Sequence, residues 1–290
     1  MTFPLIKNTT QGNRLLIFAL LLVFGLAFSS VLGAFVVTLG RHSLSDVASL
    51  QILQALSQII GFMMPPVLYV MLVKERPLNY LGFNKLPLWS LLGIVAMFII
   101  LPFNTLIAEW NEGIRLPEWM SIIEAKMQSM QEAAANATNL MMTEGSLVFN
   151  LLIIGVLAAV SEELLFRSVI QKSLVKVCKN PHVGIILTAV FFSAFHLEFY
   201  GFFPRLILGL MLGYMFYISG SIWSSILMHL ANNVTIVLLY FMNNHGILNV
   251  DVERFGSTGN VFIILLSLIT TVAIFMFCWR LKTKNSTLNS

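Results

Sequence analysis

Long apolar stretches separated by short polar segments dominate the chain. A helix needs about 20 mostly apolar residues to cross a hydrocarbon core of about 30 Å. The sequence divides into about eight stretches of that kind, namely 15–38, 50–73, 88–108, 147–172, 183–203, 204–219, 222–243 and 261–279. Pro65 and Pro66 in the second stretch and Pro102 in the third should bend their helices. The pattern predicts an all-α polytopic membrane protein, with residues 1–290 forming a single membrane domain.

Composition and charge agree with a membrane protein. Hydrophobic residues make up 58% of the chain and charged residues only 10%, and the mean hydropathy is +0.86. Soluble domains carry about 25% charged residues, so this chain cannot coat a water-facing surface, and soluble enzymes are excluded. The 17 lysines and arginines are spread along the sequence, which argues against a nucleic-acid partner. Most of them fall on the side of the spans that holds the N-terminus, so we expect both termini to be cytoplasmic.

The longest segment between predicted spans, 111–146, has a periodicity of its own. After Pro117, apolar residues recur at intervals of three and four residues, at Met120, Ile123, Met127, Met130 and Ala134. Such a stripe is typical of an amphipathic helix, which we expect to lie at the outer membrane interface. Two roles are open for it: a cap that packs on other helices, or a lid that guides substrate.

Ionisable groups inside a bilayer are costly and therefore mark functional sites. Here they cluster in the second half of the chain, on the predicted fourth, fifth and seventh helices. The candidates are Glu162, Glu163 and Arg167 on the fourth helix, His196 on the fifth, and His229 and Asn233 on the seventh.

Helical spacing separates the roles of the two glutamates. Arg167 follows Glu163 by four residues, so the two lie on one face and can form an ion pair. Glu162 is then left without a local partner and is available as a general base. His196 can reach the depth of these carboxylates only if the fourth helix continues past Arg167, to about residue 177. We therefore predict an unbroken helix there.

A carboxylate, two histidines and an asparagine that converge in a partly dry cavity can hydrolyse an amide bond. The carboxylate takes a proton from water, the histidines orient that water, and the asparagine amide donates to the developing oxyanion. A glutamate with two histidines is also a catalytic zinc set. Glu162, His196 and His229 are thus candidate ligands of a divalent metal such as zinc, although the H-E-x-x-H spacing is absent. Both possibilities stay open.

Three motifs resemble a known family. Glu-Glu-x-x-x-Arg at 162–167, Phe-x-x-x-His at 192–196 and His-x-x-x-Asn at 229–233 occur in the order found in the CPBP intramembrane proteases, which process CAAX proteins and bacteriocins. The resemblance covers a core of about 147–243. It implies an eight-helix fold and an endopeptidase in which Glu162 activates water. It also implies that Glu163 and Arg167 support Glu162, and that His196, His229 and Asn233 complete the site.

From this resemblance we expect an enzyme of a prokaryotic cytoplasmic membrane that cleaves a membrane-associated peptide or protein. Prenylated peptides, bacteriocin leaders and other membrane proteins are all compatible substrates. Two alternatives from other classes stay open. A proton-coupled carrier also uses glutamate and histidine chains, but it usually shows inverted repeats, and the sequence shows none. A catalytically silent scaffold or immunity protein would have no need of all six motif residues.

Overall fold

The computed structural model describes residues 9–40, 43, 46–73, 77–252 and 254–288, with the backbone alone at 77 and 283–288. The predicted cytoplasmic ends, at 1–8 and 289–290, lie outside these residues. Within the described ranges the chain is helical and has no strand. The helices are α1 (Gln11–Leu39), α2 (Val47–Val73), α3 (Pro77–Leu81), α4 (Leu88–Ile99), α5 (Leu101–Glu112), α6 (Ser121–Glu144), α7 (Leu147–Cys178), α8 (Pro181–Ala194), α9 (Phe202–Ser219), α10 (Ile222–Asn244) and α11 (Val261–Leu288). The prediction of an all-α polytopic membrane protein is confirmed.

The apolar stretches differ in whether their helices are long enough to cross a bilayer. Six described helices, α1, α2, α7, α9, α10 and α11, are long and apolar enough to cross a membrane. The pair α4 and α5, bent by 48° at the break, counts as a seventh span if it is taken as one. The fifth predicted span, 183–203, is a 14-residue helix, α8, which ends at Ala194. The reason for this early end is local, because Leu197 adopts a positive φ of 54°.

Proline acts differently in the two places where it was predicted to bend a helix. Pro102 lies in the first turn of α5, where its missing N–H costs nothing, and the chain bends just before it. Pro65 and Pro66 stay inside α2, which remains one continuous span. The turns before these prolines, Ser57–Met63, are π-helical, and local π geometry is one way in which a membrane helix absorbs proline.

α7 lies at the centre of the fold and contacts α2, α8, α9 and α10. It is one unbroken helix of 32 residues, as predicted, with π-helical turns at Leu151–Leu157 and Leu164–Gln171. Lys179 ends it in the left-handed conformation, with φ of 51°. Asn180 then caps α8 by accepting from the backbone N–H groups of its first turn. This tight connection returns α8 alongside α7.

A helix, α6, occupies most of the segment 111–146, although residues up to 112 belong to α5. It contacts α2 and α10, and its only buried residues are Met141 and Met142, near the C-terminal end. Ile122 and Ile123 are 84% and 50% exposed. Met127 of the predicted apolar stripe is half-buried and Met130 is 40% exposed, so the first half of α6 is only partly covered by the rest of the described protein. Its place at the outer interface stays a prediction.

Candidate active site

α7 carries a buried ion pair between two residues that lie one helical turn apart. Glu163 and Arg167 are both fully buried, and Arg167 Nη1 lies 3.0 Å from Glu163 Oε1. Arg167 Nη2 also donates to the carbonyl oxygen of Gly209, at 3.2 Å, and the guanidinium carbon lies 4.8 Å from the centroid of the Phe192 ring. The pairing read from the four-residue spacing is therefore present. Its several further contacts fix the side chain of Arg167 inside the bundle.

His229 of α10 contacts both glutamates. Its Nδ1 lies 3.0 Å from Glu163 Oε1, and its Nε2 lies 3.8 Å from Glu162 Oε2. The first distance is a hydrogen bond in which the ring N–H donates to the carboxylate, and the second is too long for one. With the proton on Nδ1, Nε2 presents a lone pair towards Glu162. Glu163 thus orients the imidazole, and Glu162 Oε2 receives no hydrogen bond from His229.

Gln58 of α2 holds the other oxygen of Glu162. Its Nε2 donates to Glu162 Oε1 at 3.3 Å, and its own Oε1 accepts from Ser161 Oγ. Glu162 Oε2, by contrast, is buried without a hydrogen-bond partner. The sequence interpretation missed Gln58, although the signal was there: it is a polar side chain in an apolar span, the feature that pointed to the other candidates.

His196 lies two residues beyond the end of α8 rather than on a helix. Its Nδ1 contacts the carbonyl oxygen of Phe192 at 2.9 Å, so Nδ1 carries the proton and Nε2 is left as an acceptor. The Phe192 ring meets both imidazoles edge to face, with centroid distances of 5.2 Å to His196 and 5.8 Å to His229. The Phe192 ring therefore lies between the two histidines and keeps them apart.

Asn233 follows His229 by one turn of α10. Its Nδ2 donates to the carbonyl oxygen of Ile154 at 2.9 Å, and its Oδ1 accepts from Asn232 Nδ2 at 3.1 Å. An amide nitrogen has two hydrogens, so each asparagine keeps one donor after these bonds. Both side chains line the same cavity as His196 and His229. Of the six predicted side chains, His196, His229 and Asn233 line this cavity. Glu162, Glu163 and Arg167 lie behind it and are linked to it through His229.

The cavity has a volume of about 270 Å³. Its far wall comes from the bend between α4 and α5 and includes Ile100, Leu101 and Asn104. Pro204, Arg205 and Ile236 separate it from a larger polar cavity of about 780 Å³, which α6 covers. The two cavities are therefore neighbours, with these three lining residues in common.

The residues proposed as metal ligands are not gathered into a metal site. Among the residues that the structure describes, no group of three histidine, cysteine, aspartate or glutamate side chains is placed to hold an ion. Glu162 and His229 approach each other, but His196 does not join them as a third donor. The set Glu162, His196 and His229 stays a prediction.

Fold and site together define an integral membrane protein of the all-helical class, with a glutamate, histidine and arginine cluster buried among its spans. Residues 144–235 match the family model described as Type II CAAX prenyl endopeptidase Rce1-like. The match confirms the resemblance to the CPBP and CAAX-processing proteases, and it contains all six predicted site residues. Searches among curated proteins and among solved structures find no match.

Proposed function

We propose that this protein is an intramembrane endopeptidase in which Glu162 activates a water molecule to hydrolyse a peptide bond. The observation that carries the proposal is the buried, unpartnered Oε2 of Glu162, 3.8 Å from Nε2 of His229. A water in contact with both atoms would have two acceptors for its hydrogens. Glu163 Oε2 also has no hydrogen-bond partner, but we assign Glu163 a supporting role, because its side chain is 0% exposed and its Oε1 is engaged by both Arg167 and His229.

The reaction follows from these positions. Glu162 Oε2 takes a proton from water as the water oxygen bonds to the peptide carbonyl carbon, and the carbonyl oxygen becomes an oxyanion. The remaining amide hydrogens of Asn232 and Asn233 lie on the wall of the cavity that His229 also lines, and we assign them to that oxyanion. Collapse of the intermediate breaks the C–N bond, and the leaving nitrogen takes the proton back from Glu162. One water is consumed, and Glu162 ends as it began.

The substrate class follows from the family match and the location. We propose a membrane-associated peptide or protein in the cytoplasmic membrane of a prokaryote. Prenylated peptides, bacteriocin leaders and other membrane proteins are the candidates, and cleavage of a peptide library would distinguish them.

The test compares cleavage of membrane peptides by the detergent-purified wild type, Glu162→Gln and His229→Ala. Removal of a general base costs about 10²- to 10⁴-fold in rate, so Glu162→Gln should abolish detectable cleavage while remaining folded. Glu118→Gln, at an exposed position outside the site, is the matched control and should cleave like the wild type. A carrier or scaffold would give no cleavage product in any of these proteins.

A chelator arm addresses the metal alternative. If Glu162 acts on water directly, a chelator leaves the wild-type rate unchanged. Loss of activity with the chelator, restored by added zinc, would instead support Glu162, His196 and His229 as ligands.

A further inference from the structure

A third cavity lies between α5, α9 and α11. We name it the α9–α11 groove; it has a volume of about 550 Å³ and a wall that is apolar along almost its whole length. Its lining runs from Ile207 to Ile218 on α9 and from Leu268 to Arg280 on α11. At 1.5 Å per residue these stretches are about 16–18 Å long. That length is close to the depth of one leaflet, about half of a 30 Å hydrocarbon core.

One end of the groove is polar and basic. His182 Nδ1 and the Tyr214 hydroxyl lie 3.0 Å apart, and the His182 ring stacks on Trp279 with centroids 6.0 Å apart. Arg280 lines the groove beside them. Lys282 follows on the same helix beyond the lining residues; its Nζ donates to the carbonyl oxygen of Tyr217 at 2.9 Å and lies 4.1 Å from the centroid of the Tyr217 ring. None of the described residues that line the groove is acidic.

We propose that the α9–α11 groove binds an anionic phospholipid, with one acyl chain along the apolar wall and the phosphate beside Arg280 and Lys282. A chain of one leaflet's depth fits the length of the wall, and a basic end between membrane helices attracts an anionic headgroup. The Tyr214 hydroxyl and the His182 ring can each hydrogen-bond to the headgroup. Tryptophan and tyrosine are the residues that favour this level of a membrane. By the distribution of basic residues this is the cytoplasmic leaflet.

The inner end of the groove shares part of its wall with the active-site cavity. Ile100, Ile207 and Met211 line both the groove and the 270 Å³ cavity that contains His196 and His229. An acyl chain in the groove would therefore pack on the back of the catalytic cavity wall, where α4 and α5 bend. Binding of the lipid itself does not depend on the proposed peptidase activity.

The experiment measures lipid retention by the detergent-purified full chain with native mass spectrometry. The probes are phosphatidylglycerol, phosphatidylcholine of the same acyl chains, and inorganic phosphate alone. Each basic side chain near a membrane surface contributes about fivefold in affinity for anionic lipid. The wild type should therefore prefer phosphatidylglycerol by about 25-fold, and phosphate alone should not bind measurably.

Two variants separate the headgroup from the chain. Arg280→Gln combined with Lys282→Gln should remove the preference for phosphatidylglycerol. Leu210→Trp, which fills the groove without changing charge, should weaken retention of both lipids. Arg254→Gln is the matched control, because Arg254 is 61% exposed outside the groove and has its own partner, Asp251, at 3.9 Å; it should behave like the wild type.

Equal retention of the two lipids by the wild type would overturn the proposal without any variant, so misfolding of a variant cannot leave it undecided. An unchanged preference in the double variant would also overturn it. Binding of phosphate alone would show an anion site and no lipid site.

Discussion

Replacing Arg167 by methionine should destabilise the protein severely, because it leaves Glu163 charged in a site with no exposure to water. Both side chains of the pair are 0% exposed, and their charged atoms are 3.0 Å apart. Removing one member of a buried ion pair typically costs about 3–5 kcal/mol, since the desolvated partner stays behind. His229 remains as a donor to Glu163 and offsets part of this loss, which places the expected cost near the lower end, at about 3 kcal/mol.

A double-mutant cycle measures the coupling between the two charges. Glu163→Gln should also destabilise the protein, because Arg167 is then buried without its counter-ion. The double variant removes both charges, so its loss of free energy of unfolding should be smaller than the sum of the two single losses. The non-additivity should be about 1–3 kcal/mol, as for residues in direct contact.

Thermal unfolding of the detergent-purified variants, followed by size-exclusion chromatography after heating, provides the assay. A loss of 3 kcal/mol corresponds to a drop in Tm of roughly 6–12 °C at this chain size. Arg115→Met, at an exposed position, is the matched control and should leave Tm unchanged. Additive losses in the double variant, or a wild-type Tm for Arg167→Met, would refute the account of Arg167 as the counter-ion that keeps Glu163 charged.

Three further predictions test other contacts. Gln58→Leu removes the hydrogen bond to Glu162, the proposed general base, and should lower kcat about tenfold with KM unchanged; an unchanged kcat would contradict its positioning role. Gly184→Ala places a Cβ 2.6 Å from the backbone of α7 and should lower Tm by several degrees, whereas Gly12→Ala, with open space around it, should not; equal Tm values would argue against close packing of α7 and α8. Tyr200→Phe removes the hydroxyl that donates to Glu124 at 2.6 Å, so hydrogen exchange in α6 should become faster, and an identical exchange rate would show that this bond does not hold the helix.

Sequence periodicity was sufficient to predict the features that depend on the spacing of residues along one helix. The apolar stretches became helices because each is long enough to bury its backbone polar groups in its own hydrogen bonds. The ion pair of Glu163 and Arg167 also depends only on a spacing of four residues, and α7 runs unbroken to Cys178 as the common depth of the site required.

Features governed by neighbouring helices were not predictable in this way. The end of α8 at Ala194 depends on the left-handed conformation of Leu197, which apolar composition alone does not reveal. The contact between Gln58 and Glu162 joins residues 104 positions apart. A polar residue in a span could have been flagged as a candidate, but its partner could be found only from the packing of α2 on α7.

The π-helical turns of α7 give this helix a tolerance of length that an ordinary helix lacks. A π-helix closes its hydrogen bonds five residues apart, so such a turn holds one residue more than an α-helical turn. In an ordinary α-helix, the loss of one residue rotates everything beyond it by about 100°. Within Leu164–Gln171 the turns can instead revert to α geometry and absorb the loss, so the helix beyond them keeps its orientation relative to Glu162. Single-residue deletions in this segment should therefore disturb the packing of the C-terminal end of α7 less than deletions in the α-helical turns at Ala158–Glu163.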